Sequence, residues 1–189
     1  MKIGIGINGI MRDLLSKVKV VYEKYYDKKI ETDLTYDNLM EVLEFKSSDE
    51  LAEFLYVEAP MELFGHAKEA DNNIVRELNK LQSDNSELEF TLISDDISRG
   101  IPATFWFLAK YGSQIKNIKF YKRDNVDNLW SYFDLIFTDD KSIFSSKPEE
   151  KLVYTIGDCP SVSPEFKLNN PKDIINLELF KKEYDEERT

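Results

Sequence analysis

The chain opens on a period of two: in KIGIGIN (residues 2–8) Ile3, Ile5 and Ile7 alternate with Gly4 and Gly6. Three isoleucines then share one face of an extended segment and the glycines permit close packing on the other, which predicts a short buried strand. From Arg12 to about Tyr26 the period changes to that of a helix, with Leu14, Leu15, Val18, Val21, Tyr22 and Tyr25 on one side. Lys17, Lys19, Lys24, Lys28 and Lys29 fall in or just beyond it and read as its solvated face. Residues 33–57 predict two further short helices, the second opened by Ser47 with Glu50 three positions on, as a capping box requires. Pro60 is expected to end this helical insert, and Ile74, Leu78 and Leu81 mark another helix over 71–81.

The second half alternates strand and helix. FTLIS (90–94) predicts a buried strand, followed by a helix with Pro102 near its first turn and Gly112 just past its end. Strands are expected at 117–121, 134–138 and 152–156, with a short helix at 126–132. The tail from Asn170 begins a helix at Pro171 and is expected to dock through Phe180 before a charged end. Such alternation points to a single α/β domain over 1–189: a three-layer, mostly parallel sheet with ligands at the carboxyl ends of its strands. A helical cap-like insert at 14–59 and a C-terminal helix or tail at 170–189 complete the expected organisation.

Composition narrows the function classes. The 36 acidic and 25 basic residues leave a net charge of −11, which disfavours nonspecific nucleic-acid binding. The single cysteine, Cys159, excludes an intramolecular disulfide and a cysteine-rich zinc site. No apolar run approaches the ~20 residues of a membrane span, and no secretion signal is visible, so a cytoplasmic, non-secreted protein is expected. His66, the only histidine, has no second histidine near it and reads as a packed or capping side chain. Trp106 is expected in the core, and Trp130 in the core or on a contact surface.

Two chemistries compete for the glycine-rich start. Gly4, Gly6 and Gly9 match G-x-G-x-x-G, the dinucleotide pattern, but only Met1, Lys2 and Ile3 precede the first glycine, too few for the required strand. The alternative uses more of the chain. MKIGIGINGIMRD resembles the first motif of the haloacid dehalogenase (HAD) superfamily, in which a strand ends in D-x-D-G and, in small nucleotidase-like members, an R-D pair follows. Gly9, Ile10, Met11, Arg12 and Asp13 keep that register, while Gly6 and Asn8 stand where the two aspartates belong. Ser94 closes FTLIS at the second motif, DLIFTDD supplies Asp139 and Asp140 for the last, and Lys116, Lys119 and Lys122 are candidates for the motif lysine.

The resemblance implies a HAD-like Rossmannoid fold with a small cap, and a family reaction in which the first aspartate attacks phosphorus and the second moves the proton. Glycine cannot attack, and asparagine exchanges no proton near neutrality. The expectation is therefore a catalytically inactive member with a vestigial site of Gly6, Asn8, Ser94, Asp139 and Asp140, serving as a structural or interaction subunit. Small phage-type nucleotidases share this kind of start, so its expected partners are other protein chains, a virion among them, and no membrane. No cofactor and no metal are expected, Asp139 being the one ligand that could take part. If a phosphate cradle persists, Asn8, Gly9, Ser94, Lys119 and Lys122 would form it, although Asp95 and Asp96 beside Ser94 should repel an anion. The alternatives are a Mg²⁺-dependent 5′-nucleotidase-like phosphatase and a nucleotide or phosphate sensor.

Overall fold

A computed structural model describes residues 1–156, 163 and 166–180. Six strands form its sheet: β1 (Lys2–Gly6), β2 (Glu89–Ser94), β3 (Ile118–Phe120), β4 (Leu135–Phe137), β5 (Leu152–Ile156) and β6 (Lys167–Leu168). All pair in parallel, in the order β3-β2-β1-β4-β5-β6. β1 therefore sits in the middle, bonded to β2 and β4, which explains a strand without a polar face. Its isoleucines enter a core with α4 (Ile74–Asp84) and α5 (Gly100–Tyr111). The opposite face packs α6 (Asp127–Trp130) and α7 (Lys141–Ser145) through Leu129, Trp130, Phe133 and Ile143. Gly4 lies on that side, where a Cβ would come within 3.3 Å of the Ile136 side chain. Helices thus cover both faces of a mostly parallel sheet, the three-layer α/β architecture the alternation predicts.

Between β1 and α4 the chain builds a third apolar cluster above the strand ends, from α1 (Leu14–Tyr26), α2 (Leu39–Val42), α3 (Ser48–Glu53) and two single π-helical turns, Phe54–Glu58 and Met61–Gly65. Asp13 caps α1 by accepting from the Ser16 amide, and Ser47 caps α3 by accepting from the Glu50 amide. Tyr22 meets both Phe45 and Phe54 edge to face within it.

Local pattern and structure diverge at several places. Pro60 does not stop the helical run; it precedes the second π turn, which carries Leu63 and Phe64 into the cluster. A proline at the entry of a turn forfeits no hydrogen bond, because that amide has no helical acceptor. α4 starts at Ile74, after Asn73 in a left-handed conformation. The tail from Pro171 forms two 3₁₀ turns, Pro171–Asn176 and Glu178–Phe180, rather than an α-helix, yet Phe180 docks as expected against Phe90 and Phe137. Trp106 is not core: it is 53% exposed, because the buried stripe of α5 runs through Ala103, Thr104 and Phe107. Trp130 is buried and donates to Ser146 Oγ. His66 is exposed, with its ring edge-on to Trp106. Helix α7 and strand β6 were too short to leave a periodic signal. Cys159 and the charged end beyond Phe180 lie outside the described residues. No helix among them is long and apolar enough to cross a membrane.

Candidate functional site

The loops that leave the carboxyl ends of β1, β2, β3 and β4 converge beneath the helical cluster, at the point where the strand order reverses around β1. Arg12 organises the first two loops. Its guanidinium is fully buried between the rings of Phe64 and Phe107, 5.0 and 5.5 Å from their centroids. Nη2 donates to Asp96 Oδ2 and Asn8 Oδ1, each at 2.6 Å, and Nε to Asn8 Oδ1 at 2.9 Å. Nη1 donates to Thr104 Oγ1 at 2.7 Å and to the Phe64 carbonyl at 3.1 Å, tying core to cap. Thr104 also donates to Asp96. Burial alone would raise the pKa of Asp96, but Arg12 and the donors Thr104 and Ser94 outweigh it and hold the carboxyl below its ordinary value.

Asn8 completes this network. With its oxygen taken by Arg12, its Nδ2 donates to Asp95 Oδ1 at 3.0 Å and Asp96 Oδ1 at 3.2 Å. An aspartate at this position would oppose two carboxylates, so asparagine serves as the neutral bridge that lets them coexist. Asp95 is further compensated by Arg123, whose Nε donates to its Oδ2 at 2.7 Å and lies 3.6 Å from Asp140 Oδ2. Burial would lower the Arg123 pKa; Asp95 and Asp140 reverse the direction and raise it. Asp140 caps α7, its Oδ1 accepting from the Ser142 amide at 2.9 Å and hydroxyl at 2.7 Å, while Oδ2 accepts from Tyr121 at 2.7 Å.

Asp139 has no such ion pair among the described residues, and its own backbone amide and the more distant Arg123 offset its burial only in part. Its carboxyl lies over Gly9, where φ is +76° and any Cβ would stand 1.8 Å from Oδ2; only glycine satisfies both conditions. Burial, with Asp95 and Asp140 adding to it, pushes its pKa up to about 7. From the cap, Tyr36 brings a buried hydroxyl that has no hydrogen-bond partner among the described residues. Burial and the charges of Asp139 and Asp95 raise the pKa of that phenol, so it keeps its proton. The Arg123 guanidinium stacks 5.3 Å from the Tyr36 ring. Two chambers meet at this pair. One, of about 530 Å³, runs under the cap; the other, of about 380 Å³, is bounded by Asp139, Asp140, Lys141 and Ser142.

Of the residues expected at the site, Gly6, Asn8, Gly9, Ser94, Asp139 and Asp140 come together. Ser94 Oγ accepts from the Asp96 amide, which closes the turn after β2. Lys122 lines the larger chamber. Lys119 does not reach the site: its ammonium lies 5.1 Å over the Tyr132 ring on the sheet face. Lys116 borders a separate cavity with Gln82 and Ser83. Asp95 and Asp96, expected to repel an anion, are each paired with an arginine. Sequence reasoning missed Arg123 and Tyr36. The basic pair Lys122-Arg123 directly after β3 was a signal for the first; a lone tyrosine in a polar loop was none for the second.

A Mg²⁺ ion, which the HAD resemblance implies for an active member, demands near-octahedral oxygen ligands. The donor set does not fit one. Gly6 offers no side chain, the Asn8 side-chain oxygen is spent on Arg12, and Asp95 and Asp140 are committed to Arg123, Asn8, Tyr121 and α7. Among the described residues no three His, Cys, Asp or Glu side chains are placed to hold a metal.

No protein-family model matches the sequence, and no curated protein does. Solved structures match its fold. A chain from Thermotoga maritima assigned as a β-phosphoglucomutase superposes with a TM-score of 0.56 at 17% identity, covering 93% of this chain and 96% of the other. A subfamily IA HAD hydrolase from Geobacter sulfurreducens gives 0.55 at 12% identity, over 95% and 96%. The phosphoserine phosphatase of T. onnurineus gives 0.55 at 11%, over 95% and 94%. The fold is thus the HAD-like α/β fold. The expectation of an inactive structural subunit is corrected here, since chains that match from end to end are named as a mutase, a hydrolase and a phosphatase. It rested on the loss of both motif aspartates, at Gly6 and Asn8.

Proposed function

We propose that the chain is a HAD-type phosphomonoester hydrolase in which Asp139 carries the proton and Arg123, Lys122 and Tyr36 receive the phosphoryl group. One observation supports this above the others: a carboxyl held over Gly9, at the edge of a chamber shared with a stacked Arg123–Tyr36 pair. The finer reading, a 5′-nucleotidase, is a matter of which alcohol the cap accepts.

With glycine at position 6 the side chain needed for an aspartyl-phosphate is missing, and water attacks phosphorus directly. Protonated Asp139 gives its proton to the ester oxygen as the P–O bond breaks, and the attacking water returns one to the carboxylate. The products are the alcohol and inorganic phosphate, with Asp139 restored. The Arg123 guanidinium and the Lys122 ammonium offset charge on the equatorial oxygens, and the Tyr36 hydroxyl donates to one of them.

The test is release of phosphate from p-nitrophenyl phosphate and from nucleoside monophosphates. Turnover is expected, reduced at least roughly 10²-fold in Asp139→Asn, as for loss of a general acid–base group. Activity should fall as pH rises through about 7, where Asp139, facing Asp95, Asp140, Arg123, Tyr36 and Tyr121, loses its proton. Absence of turnover on every ester, or full activity in Asp139→Asn, would overturn the proposal.

A further inference from the structure

The larger chamber says what kind of alcohol the ester carries, an inference that rests on the phosphatase reading and extends it. Its walls are mainly hydrocarbon, from Leu14 and Val18 of α1, Leu51 and Leu55 of the cap, Phe64 of the second π turn and Ile97 of the loop after β2, with the Tyr56 ring among them. At about 530 Å³ it lies within the size range of small-molecule sites. Its polar lining, Asn8, Asp95, Lys122, Arg123 and Asp124, comes from the loops after β1, β2 and β3. The Asn8 and Asp95 side chains there are engaged with one another and with Arg12 and Arg123, so they are not available to a ligand's hydroxyls without breaking those bonds.

Tyr36 and Arg123 line this chamber and the polar chamber that contains Asp139. A ligand seated across them must therefore be amphipathic, with an anionic head at Arg123 and an apolar body beneath the cap. The Tyr36 hydroxyl, buried and without a partner among the described residues, is the donor such a head would satisfy. A sugar or amino-acid phosphate would place hydroxyl, ammonium or carboxylate groups against leucine and phenylalanine and lose hydration that this wall does not replace. We infer that the substrate is a phosphomonoester of an apolar alcohol, aryl or branched alkyl, whose hydrocarbon fills the chamber under the cap while its phosphate meets Arg123 and Tyr36. Phe64 joins this wall to the clamp on Arg12, since the same residue offers its carbonyl to Arg12 Nη1 and its ring to the guanidinium face.

Non-hydrolysable phosphonates separate binding from turnover. Calorimetric titration of the full chain should show benzylphosphonate and 1-naphthylmethylphosphonate binding at least roughly tenfold tighter than methylphosphonate, the gain expected from burying one aromatic group. Glucose 6-phosphate, phosphoserine and uridine 5′-monophosphate should bind no tighter than methylphosphonate. Leu55→Gln should remove most of the aryl advantage and leave methylphosphonate affinity unchanged. Ile97→Gln should do the same at a position that is 45% exposed and so tolerates the change without unfolding. Tyr36→Phe should weaken all the phosphonates alike, about threefold or more, as loss of one hydrogen bond to a charged group. Equal affinity for aryl and methyl phosphonates, tighter binding of the sugar, serine or nucleotide esters, or unchanged aryl preference in both glutamine variants would each overturn the inference. Aryl preference without any phosphate release would retain the chamber's assignment and defeat the hydrolase proposal; release from glucose 6-phosphate or phosphoserine in preference to aryl esters would do the reverse.

Discussion

Arg12 and Asp139 represent two opposite solutions for a charge taken out of water. Arg12 is matched by Asp96, Asn8, Thr104 and the Phe64 carbonyl, with the Phe64 and Phe107 rings beside it. Arg12→Met should cost about 3–5 kcal/mol, because it strands the buried Asp96 carboxylate. Differential scanning calorimetry should show the midpoint falling by roughly 8–15 °C, and the added change Asp96→Asn should recover part of it. Asp139 has no counterpart of this kind, and its folded pKa of about 7 stands above the ordinary 3.8. Between those values the folded state binds more protons than the unfolded one, so stability is expected to fall as pH rises from about 4 to 7. Asp139→Asn should flatten that slope, raising the melting midpoint by roughly 2–8 °C at pH 8 and hardly at all at pH 4. Gly6 is under a different constraint. A Cβ there would sit 3.1 Å from the Phe137 carbonyl oxygen, and an acid at position 8 would face Asp95 and Asp96. Aspartates at positions 6 and 8 would thus require backbone adjustment and rupture of the Arg12 network.

At the scale of elements, the short pieces hold the long ones. The second π turn carries Phe64 to Arg12, and Gly65 and Gly100 let the cap approach α5 closely. A Cβ at Gly100 would come within 3.1 Å of the Tyr56 ring, which itself stacks on Phe64. The 3₁₀ tail closes one side of the core through Pro171, Ile174 and Phe180. Phe180→Ala should cost about 3–5 kcal/mol, as for other buried phenylalanines, and chemical denaturation should report it as a lower midpoint with an unchanged slope. A loss below about 1 kcal/mol would mean that the tail is not part of the cooperative unit.

For the molecule as a whole, charge is balanced locally and not globally. The chain carries a net −11, yet Arg12 and Arg123 neutralise two of the four carboxylates at the strand ends. An anionic ester is therefore met by individual cations, Arg123 and Lys122, and not by a positive field, and moderate salt should change binding less than the net charge suggests. Because the donors around Asp139 do not form a Mg²⁺ site, phosphate release should persist in excess EDTA to within about twofold. Complete loss on chelation, restored by Mg²⁺ alone, would show that Asp95 or Asp140 leaves its present partner to bind the ion.

Much of the fold was legible in local pattern. The two-residue period of KIGIGIN, the helical spacing after Arg12, the Ser47 cap and Gly112 past α5 depend on neighbours in the chain, and each lies where expected. The parallel sheet followed, and with it the loops that would hold a site. What those loops do was decided by contacts between residues far apart in sequence: Arg12 and Asp96 are 84 positions apart, and Asn8 and Asp95 are 87. A sequence shows that four aspartates crowd two strand ends. Only the tertiary structure shows which of them are paired with an arginine and which is not, because charge in a low-dielectric interior is governed by distance in space and not along the chain.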